Sequence, residues 1–345
     1  MAKELVEPTM QKLGISNYEI IDVVRGCELE GMKYVHPLLE EVPAHRSHDG
    51  SYDHAIVCGA HVTLEQGTGC VHTAPGHGPE DFEVGEAYGL KVFCPVNQKG
   101  IFTEEAGKYA GKFVKDADAE IIEDLRRKGL LLLYETIEHE YPLCWRCEAP
   151  LIYRADKQWF IRIPPIKHRL LAENEAVDWV PRWAGRNRFG EWLENAEDWC
   201  ISRSRIWGTP LNVWRCGNCG SVAVIGSVEE LKGRARKLPG RLELHRPWVD
   251  EVVIKCESCG GDMLRVPYVL DCWFDSGVAH SASVGFPRDS SLFERLYPYD
   301  FITEAVDQTR GWFYSLLVTG VLAFDKSPYR RVLCPVSYTH LTLPT

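Results

Sequence analysis

The sequence lacks a segment that could carry it into or across a membrane. Acidic residues stand in its opening stretch MAKELVEPTM, where a signal peptide needs an apolar run. The longest apolar run, Gly311–Phe324, contains Ser315 and Thr319 and is shorter than the ~20 residues that cross a bilayer. We therefore expect a cytoplasmic protein without a membrane partner, in which Gly311–Phe324 is a buried helix.

Positive charge is also scarce relative to negative charge. The 39 Lys and Arg residues face 49 Asp and Glu residues, so the formal net charge is −10, which argues against nonspecific nucleic-acid binding. Phosphate-binding glycine fingerprints such as GxxxxGKS are absent as well. Contacts with RNA would need local basic groups, although a solvated surface explains each such group equally well. The candidate groups are Arg182, Arg186, Arg188, Arg203, Arg205 and Lys232–Arg241.

The chain does contain enough apolar sequence for a folded core, together with many cysteines. Its 345 residues are 45% hydrophobic and 26% charged, an ordinary globular balance for about two domains. Six of the 13 cysteines form three CxxC pairs. In a long chain without an export signal, this pattern indicates metal binding in the cytosol and not a disulfide framework.

The second and third CxxC pairs predict a structural zinc site. Cys216 and Cys219 form one pair, Cys256 and Cys259 form the other, and together they supply the four thiolates of tetrahedral zinc. Redox chemistry is the weaker interpretation, because thioredoxin-like CxxC motifs occur singly at a helix start. Zn²⁺ is therefore the expected cofactor.

The segment between these two pairs is predicted to contain a helix and a strand. Ser227 and Glu230 have the spacing of a capping box at the start of a basic helix, Ser227–Lys237. Trp248–Lys255 then leads as a strand to the third pair.

The first CxxC pair, Cys144 and Cys147 in YPLCWRCEAPLIYR, supplies half of a four-cysteine metal site. No partner pair is evident for it in this sequence. Two reduced thiols on a turn are the alternative interpretation.

The stretch GTGCVHTAPGHGPEDF, residues 67–82, concentrates reactive side chains and turn-forming residues. A strand is predicted before it at Ala55–Leu64 and a helix after it, so that His72 ends a strand and Asp81 begins a helix. Three interpretations remain open. They are a glycine-rich turn with surface histidines, a zinc site of His72, His77 and Asp81, and a pocket in which Asp81 pairs an ammonium group and His72 donates to a hydroxyl.

The stretch FITEAVDQTRGWFY, residues 301–314, predicts a second polar surface. On one helix, Glu304, Asp307, Gln308 and Trp312 would present acid, amide and indole groups on neighbouring faces. That combination suits a pocket for an amino acid, with the acids toward its ammonium group and the indole against an aliphatic side chain. The alternative is a helix with a polar first turn and a buried tryptophan.

Several stretches resemble signatures of isoleucyl-tRNA synthetases, which are class I aminoacyl-tRNA synthetases. HTAPGHGPED is similar to the HTAPGHGxxD signature of their editing domain, and DWCISRSRIWGTP to WCISRQRxWGxP, with Ser204 where glutamine is common. VLDCWFDSG and EAVDQTRGWF resemble parts of their synthetic active site. The resemblance covers the chain from about Tyr18 to Cys334 in the family's order.

The resemblance implies an α/β protein with two functional regions. Residues 1–140 would be part of a β-rich editing domain, in which Asp81 holds the α-amino group of a mischarged amino acid and His72 lies beside the terminal adenosine. Residues 141–334 would be the second part of a Rossmann-like catalytic domain, with zinc knuckles at 216–259. Glu304, Asp307, Gln308 and Trp312 would line the pocket for isoleucine and the adenylate.

The family also implies activities and partners. The complete enzyme would be a monomer that activates isoleucine with ATP and Mg²⁺, transfers it to an isoleucine-accepting tRNA, and hydrolyses valyl-tRNA. A hydrophobic pocket separates isoleucine from valine by only about two orders of magnitude, which is why a second, editing site is needed.

The sequence departs from the family pattern at both ends. The HIGH and KMSKS motifs and a threonine-rich editing peptide are absent, so we expect a central fragment that is inactive in aminoacylation by itself. Residues 335–345 are expected to be a non-native tail. Two alternatives are a fragment of a valyl-tRNA synthetase and a free-standing zinc-containing protein that binds RNA or edits tRNA in trans.

Overall fold

The computed structural model describes residues 1–65 and 67–335. The chain divides into two compact units, of which the first ends at Asp156 and the second begins at Lys157. The expected non-native tail lies outside the described residues, except for Pro335. A division into editing and catalytic domains near residue 140 stays a prediction, because compactness assigns no function to either unit.

The first unit is built from helices and turns. Its helices are α1 (Val6–Lys12), α2 (Pro79–Tyr88) and α3 (Asp118–Arg127), with 3₁₀ turns at Lys3–Leu5, Gly26–Leu29, Pro43–Ser47 and Glu104–Tyr109. The predicted helix after residue 78 is confirmed, and its Pro79 stands at the first helical position. A small core forms around Val42, Ala106 and Tyr109.

The expectation of a β-rich first unit was wrong for the described residues. Only isolated bridges such as Lys33 with Ala55 are formed there, and no strand is formed at Ala55–Leu64. Alternating apolar residues form a strand only when a partner strand takes up their hydrogen bonds and a core covers one face. Here Ile56 is 39% and Leu64 55% exposed, so that cover is missing.

Within the described residues, the second unit contains seven α-helices, a π-helical segment at Ala184–Phe189 that leads into the second of them, and twelve strands. The helices are α4 (Lys167–Glu175), α5 (Gly190–Glu194), α6 (Val228–Arg234), α7 (Cys272–Gly277), α8 (Ala279–Ala282), α9 (Ser291–Leu296) and α10 (Trp312–Phe324). The strands are β1 (Phe160–Ile161), β2 (Asp178–Val180), β3 (Trp199–Cys200), β4 (Ser202–Arg203), β5 (Val213–Cys216), β6 (Val222–Val224), β7 (Ala235–Lys237), β8 (Val253–Lys255), β9 (Asp262–Arg265), β10 (Val269–Leu270), β11 (Ile302–Thr303) and β12 (Arg331–Leu333).

Two sheets position the candidate sites of this unit. One is parallel, in the order β11-β12-β2, and α10 connects β11 to its neighbour β12 as a crossover helix. The other is antiparallel, in the order β6-β5-β9-β8-β7. The predicted buried helix is confirmed as α10, whose Phe313, Leu317 and Val321 are fully buried in the main core. The second unit is thus a mixed α/β structure.

No helix of the described residues combines the length and the apolar character needed to cross a membrane.

Candidate metal centre and amino-acid site

Two hairpins of the antiparallel sheet end in matching turns that carry cysteines. In one turn, the amide of Gly220 donates to the carbonyl of Cys216 over 3.1 Å. In the other, the amide of Gly260 donates to the carbonyl of Cys256 over 2.9 Å. Both glycines have a positive φ, +75° and +70°, a conformation that other residues adopt only at a cost. Because β5 pairs with β9, the sheet brings the two turns together.

The four sulfur atoms form one cluster. The Sγ atoms of Cys216 and Cys259 are 3.5 Å apart, and those of Cys219 and Cys256 are 3.7 Å apart. All four lie within 4.8 Å of one another. Tetrahedral zinc with Zn–S bonds of about 2.3 Å has sulfur–sulfur edges of about 3.8 Å, whereas a disulfide bond measures about 2.05 Å. All four thiols are free, and the cluster could bind a metal ion such as zinc.

The electrostatics of the cluster are those of a cation site. A hydrogen bond to Ser221 lowers the pKa of Cys219 to about 6. The backbone N–H of Gly261 also lowers the pKa of Cys259, but the sulfurs of Cys219 and Cys216 outweigh it and raise that pKa to about 12. Neighbouring thiolates repel each other, so all four ionise at neutral pH only when a cation compensates their charge.

A partly buried ion pair lies at the end of β9 that is away from the cysteine turns. The side chain of Arg265 is 0% exposed and its Nε donates to Asp250 over 2.7 Å. Its Nη1 atom donates to the carbonyls of Leu211 and Tyr268 over 3.0 and 2.9 Å. Sequence reasoning missed Arg265, because a lone arginine in a short strand reads as a solvent-exposed charge.

The helix between the two pairs begins as predicted, apart from the partner of Glu230. It ends at Arg234, and not at Lys237, because Ala235–Lys237 pairs with β8 as β7. Ser227 caps α6 and accepts a hydrogen bond from the amide of Glu230 over 3.0 Å. The Glu230 carboxylate accepts from the amide of Gly226, not from Ser227. The predicted strand Trp248–Lys255 is a 3₁₀ turn followed by the shorter β8, because Trp248–Glu251 hydrogen-bonds locally.

The first CxxC pair lies on the same kind of turn. Cys144 accepts from the amide of Glu148 over 2.8 Å and donates to the carbonyl of Ala149 over 2.9 Å. Glu148 has a φ of +59°, at the place that a glycine takes in the other two turns. Within the described residues, Cys144 and Cys147 are not joined by a further cysteine pair in a metal-binding group.

The predicted amino-acid site stands at the carboxyl end of β11. Glu304 directly follows that strand and is exposed, and Val306–Arg310 forms a 3₁₀ turn. The expectation of one continuous helix was wrong, because Gly311 (φ −150°, ψ −113°) separates this turn from α10. A Cβ atom at Gly311 would lie 2.7 Å from Gln308 Oε1 and 3.1 Å from the ring of Trp273, so a larger residue there would displace the Gln308 side chain and press on that ring.

Hydrogen bonds link the polar residues of this site in sequence. Gln308 donates from Nε2 to the carboxylate of Asp307 over 3.0 Å, and its Oε1 accepts from the amide of Trp312 over 2.9 Å. The indole of Trp312 donates to the carbonyl of Ser276 over 3.0 Å. Acid, amide and indole groups are thereby held at the end of a parallel strand, where α/β proteins commonly bind ligands.

Asp271 ties this site to the stretch WCISRSR, and sequence reasoning did not single it out. Its Oδ2 accepts from Trp199 Nε1 and pairs with Arg203, both at 3.0 Å. Its Oδ1 caps α7 at the amide of Trp273. The sequence feature that could have pointed to Asp271 is its place as the first acid of VLDCWFDSG. The guanidinium of Arg203 is thus engaged inside the unit.

In the first unit, the loop that carries the predicted editing residues packs so closely against its neighbours that it needs glycine. A Cβ atom at Gly76 would lie 2.3 Å from the carbonyl oxygen of Phe93, so only glycine fits there. Asp81 lies in the first turn of α2, where the helix dipole favours an anion. His72 is exposed and ends no strand, contrary to the prediction. His77 Nδ1 is 3.0 Å from the carbonyl oxygen of Tyr153.

Comparison with known proteins defines the class. Residues 10–337 match the family model of class I tRNA synthetases (I, L, M and V), so the chain belongs to that family.

Within the class, the chain is a homologue of isoleucine–tRNA ligases, and the resemblance seen in the sequence is confirmed. It is 56% identical over 336 residues to the enzyme of Methanothermobacter marburgensis, covering 96% of this chain and 31% of that protein. It is 54% identical over 333 residues to that of Methanopyrus kandleri, covering 92% and 31%. It is 51% identical over 333 residues to that of Archaeoglobus fulgidus, covering 96% and 32%. The chain spans about a third of the length of these relatives.

Among solved structures, a methionyl-tRNA synthetase of Mycobacterium tuberculosis in complex with methionyl-adenylate aligns with 57% of this chain and 29% of its own. The identity is 17% and the TM-score 0.34.

Proposed function

We propose that this chain is a central segment of an isoleucine–tRNA ligase. The observation that carries the proposal is the linked group of Asp307, Gln308 and Trp312 at the carboxyl end of β11, in a chain homologous to isoleucine–tRNA ligases. The longer enzyme activates isoleucine with ATP and Mg²⁺ and transfers it to tRNA. It acts as a monomer in the cytoplasm.

Each residue of the site has a role in recognising isoleucine. The carboxylates of Glu304 and Asp307 attract the ammonium group, since both are exposed toward solvent at the strand end. The indole of Trp312 packs against the aliphatic side chain, while its bond to Ser276 fixes the orientation of the ring. Positioning the carboxylate of isoleucine beside the α-phosphate of ATP lowers the barrier to adenylate formation.

The test is isoleucine-dependent pyrophosphate exchange in the longer enzyme. Trp312→Ala should raise the KM for isoleucine by at least tenfold, because it removes aromatic contact area worth more than about 1.4 kcal/mol. Trp248→Ala is the matched control, since Trp248 is 48% exposed on a turn beside the metal-centre sheet. Equal KM values for the two variants would disprove the assignment of Trp312.

The first unit is proposed to hold part of the editing site. Asp81 binds the α-amino group of valine on valyl-tRNA, and His72 lies beside the terminal adenosine. Asp81 lies in the first turn of α2, directly after the glycine-rich loop that carries His72. In the same longer enzyme, Asp81→Asn should slow valyl-tRNA hydrolysis at least tenfold while leaving isoleucine-dependent exchange unchanged. Unchanged hydrolysis would remove Asp81 from the editing site.

Zinc bound by Cys216, Cys219, Cys256 and Cys259 is proposed to be structural. The sulfur distances fit tetrahedral zinc, and four thiolates leave no open position for a substrate. The metal would hold the two cysteine turns together at one end of the antiparallel sheet.

A further inference from the structure

A second group of potential metal ligands lies in the first unit. His45, His48 and His54 each offer a ring nitrogen, and these atoms lie within 4.8 Å of one another. His45 belongs to the 3₁₀ turn Pro43–Ser47, His48 follows it, and His54 lies in the next turn. All three side chains are partly buried.

One nitrogen of each ring lacks a hydrogen-bond partner. His45 Nδ1, His48 Nε2 and His54 Nε2 are buried atoms, and none of them is bonded to an atom of the described residues. Buried polar atoms in folded proteins are nearly always paired. Three unpaired nitrogens on three neighbouring rings therefore indicate a missing common partner.

The surroundings hold the rings in place. Phe93 contacts His45 and His48 edge-on, with ring centroids 5.1 and 5.0 Å apart. His36 stacks on His45 at 3.8 Å. His54 has a φ of +53°, and left-handed backbone at a residue with a side chain is commonest where a site needs that side chain in one place.

Burial favours the neutral form of two of these rings. Burial, together with the smaller effect of the neighbouring histidines, lowers the pKa of His45 to about 4. Burial likewise lowers the pKa of His48, with Lys91 acting in the same direction and Asp53 against it. Neutral imidazoles keep the lone pair that a metal ion requires.

We propose that His45, His48 and His54 bind one divalent transition-metal ion such as Zn²⁺. Imidazole nitrogen suits zinc, copper and nickel. Zn–N bonds of about 2.0–2.1 Å give nitrogen–nitrogen edges of about 3.3 Å, so the rings close by about 1.5 Å at most from their present separation. Three protein ligands leave the fourth tetrahedral position open to water or an anion. His36 forms one wall of this three-histidine site.

The test is the zinc content of the whole chain. The protein is stripped with a chelator, reloaded with Zn²⁺, desalted, and its metal measured by mass spectrometry. The double variant His48→Gln, His54→Gln should hold one zinc fewer per chain than the wild type. His139→Gln is the matched control, because His139 is an exposed histidine of the same unit, and it should retain the full content.

This difference of one zinc does not depend on the four-cysteine cluster. Cys216→Ser with Cys256→Ser should remove the other equivalent and leave the three-histidine site loaded. Cobalt gives a second readout, because the thiolate charge-transfer absorption of Co²⁺ should vanish in the cysteine variant and persist in the histidine variant. Equal zinc content in the wild type and the double histidine variant, with both folded by circular dichroism, would overturn the proposal.

Discussion

Burial should decide what an aspartate–arginine pair contributes to the stability of this protein. Asp271 pairs with Arg203 and Asp300 pairs with Arg330, both at 3.0 Å. The aspartate side chains differ in exposure, 5% for Asp271 and 89% for Asp300. The two pairs therefore have equal length and unequal contact with water.

The magnitude for Asp271→Ala follows from the bonds it removes. Loss of the cap of α7 costs about 1 kcal/mol, and loss of charged hydrogen-bond partners for Trp199 and Arg203 adds about 1.5–3 kcal/mol. Arg203 is 39% exposed and regains some hydration, so we expect a total of about 2–4 kcal/mol. Asp300→Ala breaks a pair that water screens, so it should lower the free energy of unfolding by no more than about 1 kcal/mol.

The assay is the free energy of unfolding from urea denaturation, followed by tryptophan fluorescence. Asp271→Asn removes the charge but keeps the side-chain shape and one acceptor oxygen, which can serve either Trp199 or the helix cap. It should therefore lose less than Asp271→Ala. Equal losses for Asp271→Ala and Asp300→Ala would refute the reasoning that burial sets the strength of these pairs.

Two further predictions concern pH. Zinc held by the four-cysteine cluster should be released as the pH falls, because protons compete for the thiolates. A metal indicator measures the release, which should be the same in Cys27→Ser, since Cys27 is an exposed cysteine outside the cluster. Identical zinc retention at pH 8 and pH 5 would contradict thiolate binding. Burial lowers the pKa of His280 from 6.5 to about 4. The contribution of the buried neutral ring to stability is therefore present above pH 6.5 and is lost as the pH falls toward 4. The urea midpoint of the wild type should therefore fall more between pH 7 and pH 5 than that of His280→Gln, whereas exposed His168→Gln should follow the wild type.

Local patterns predicted the features that depend on a few neighbouring residues. The helices α2 and α10, the cap at Ser227 and the pairing of Cys216/Cys219 with Cys256/Cys259 all follow from spacing along the chain. A CxxC turn determines its own geometry, and an apolar run of suitable length is buried wherever it packs. These features did not require knowledge of the rest of the fold.

Strands were predicted less well, because a strand needs a partner that the sequence does not reveal. Ala55–Leu64 alternates but finds no ladder in the described residues, and its apolar side chains remain partly exposed. The predicted helix through Glu304 and Trp312 is broken at Gly311, whose backbone is not helical and which the ring of Trp273 approaches closely. That approach depends on the packing of α7 against α10.

The family and the four-cysteine cluster could be predicted from short motifs, and the same motifs supplied the residues of the two proposed substrate sites. Folding was needed to bring Asp271 to Trp199 and Arg203, to bury Arg265 against the carbonyls of Leu211 and Tyr268, and to gather His45, His48 and His54. Motifs are short-range patterns of chemistry, whereas these groups join residues whose separation along the chain follows no fixed spacing. Burial then sets their charge and partners, and burial exists only once the chain has folded.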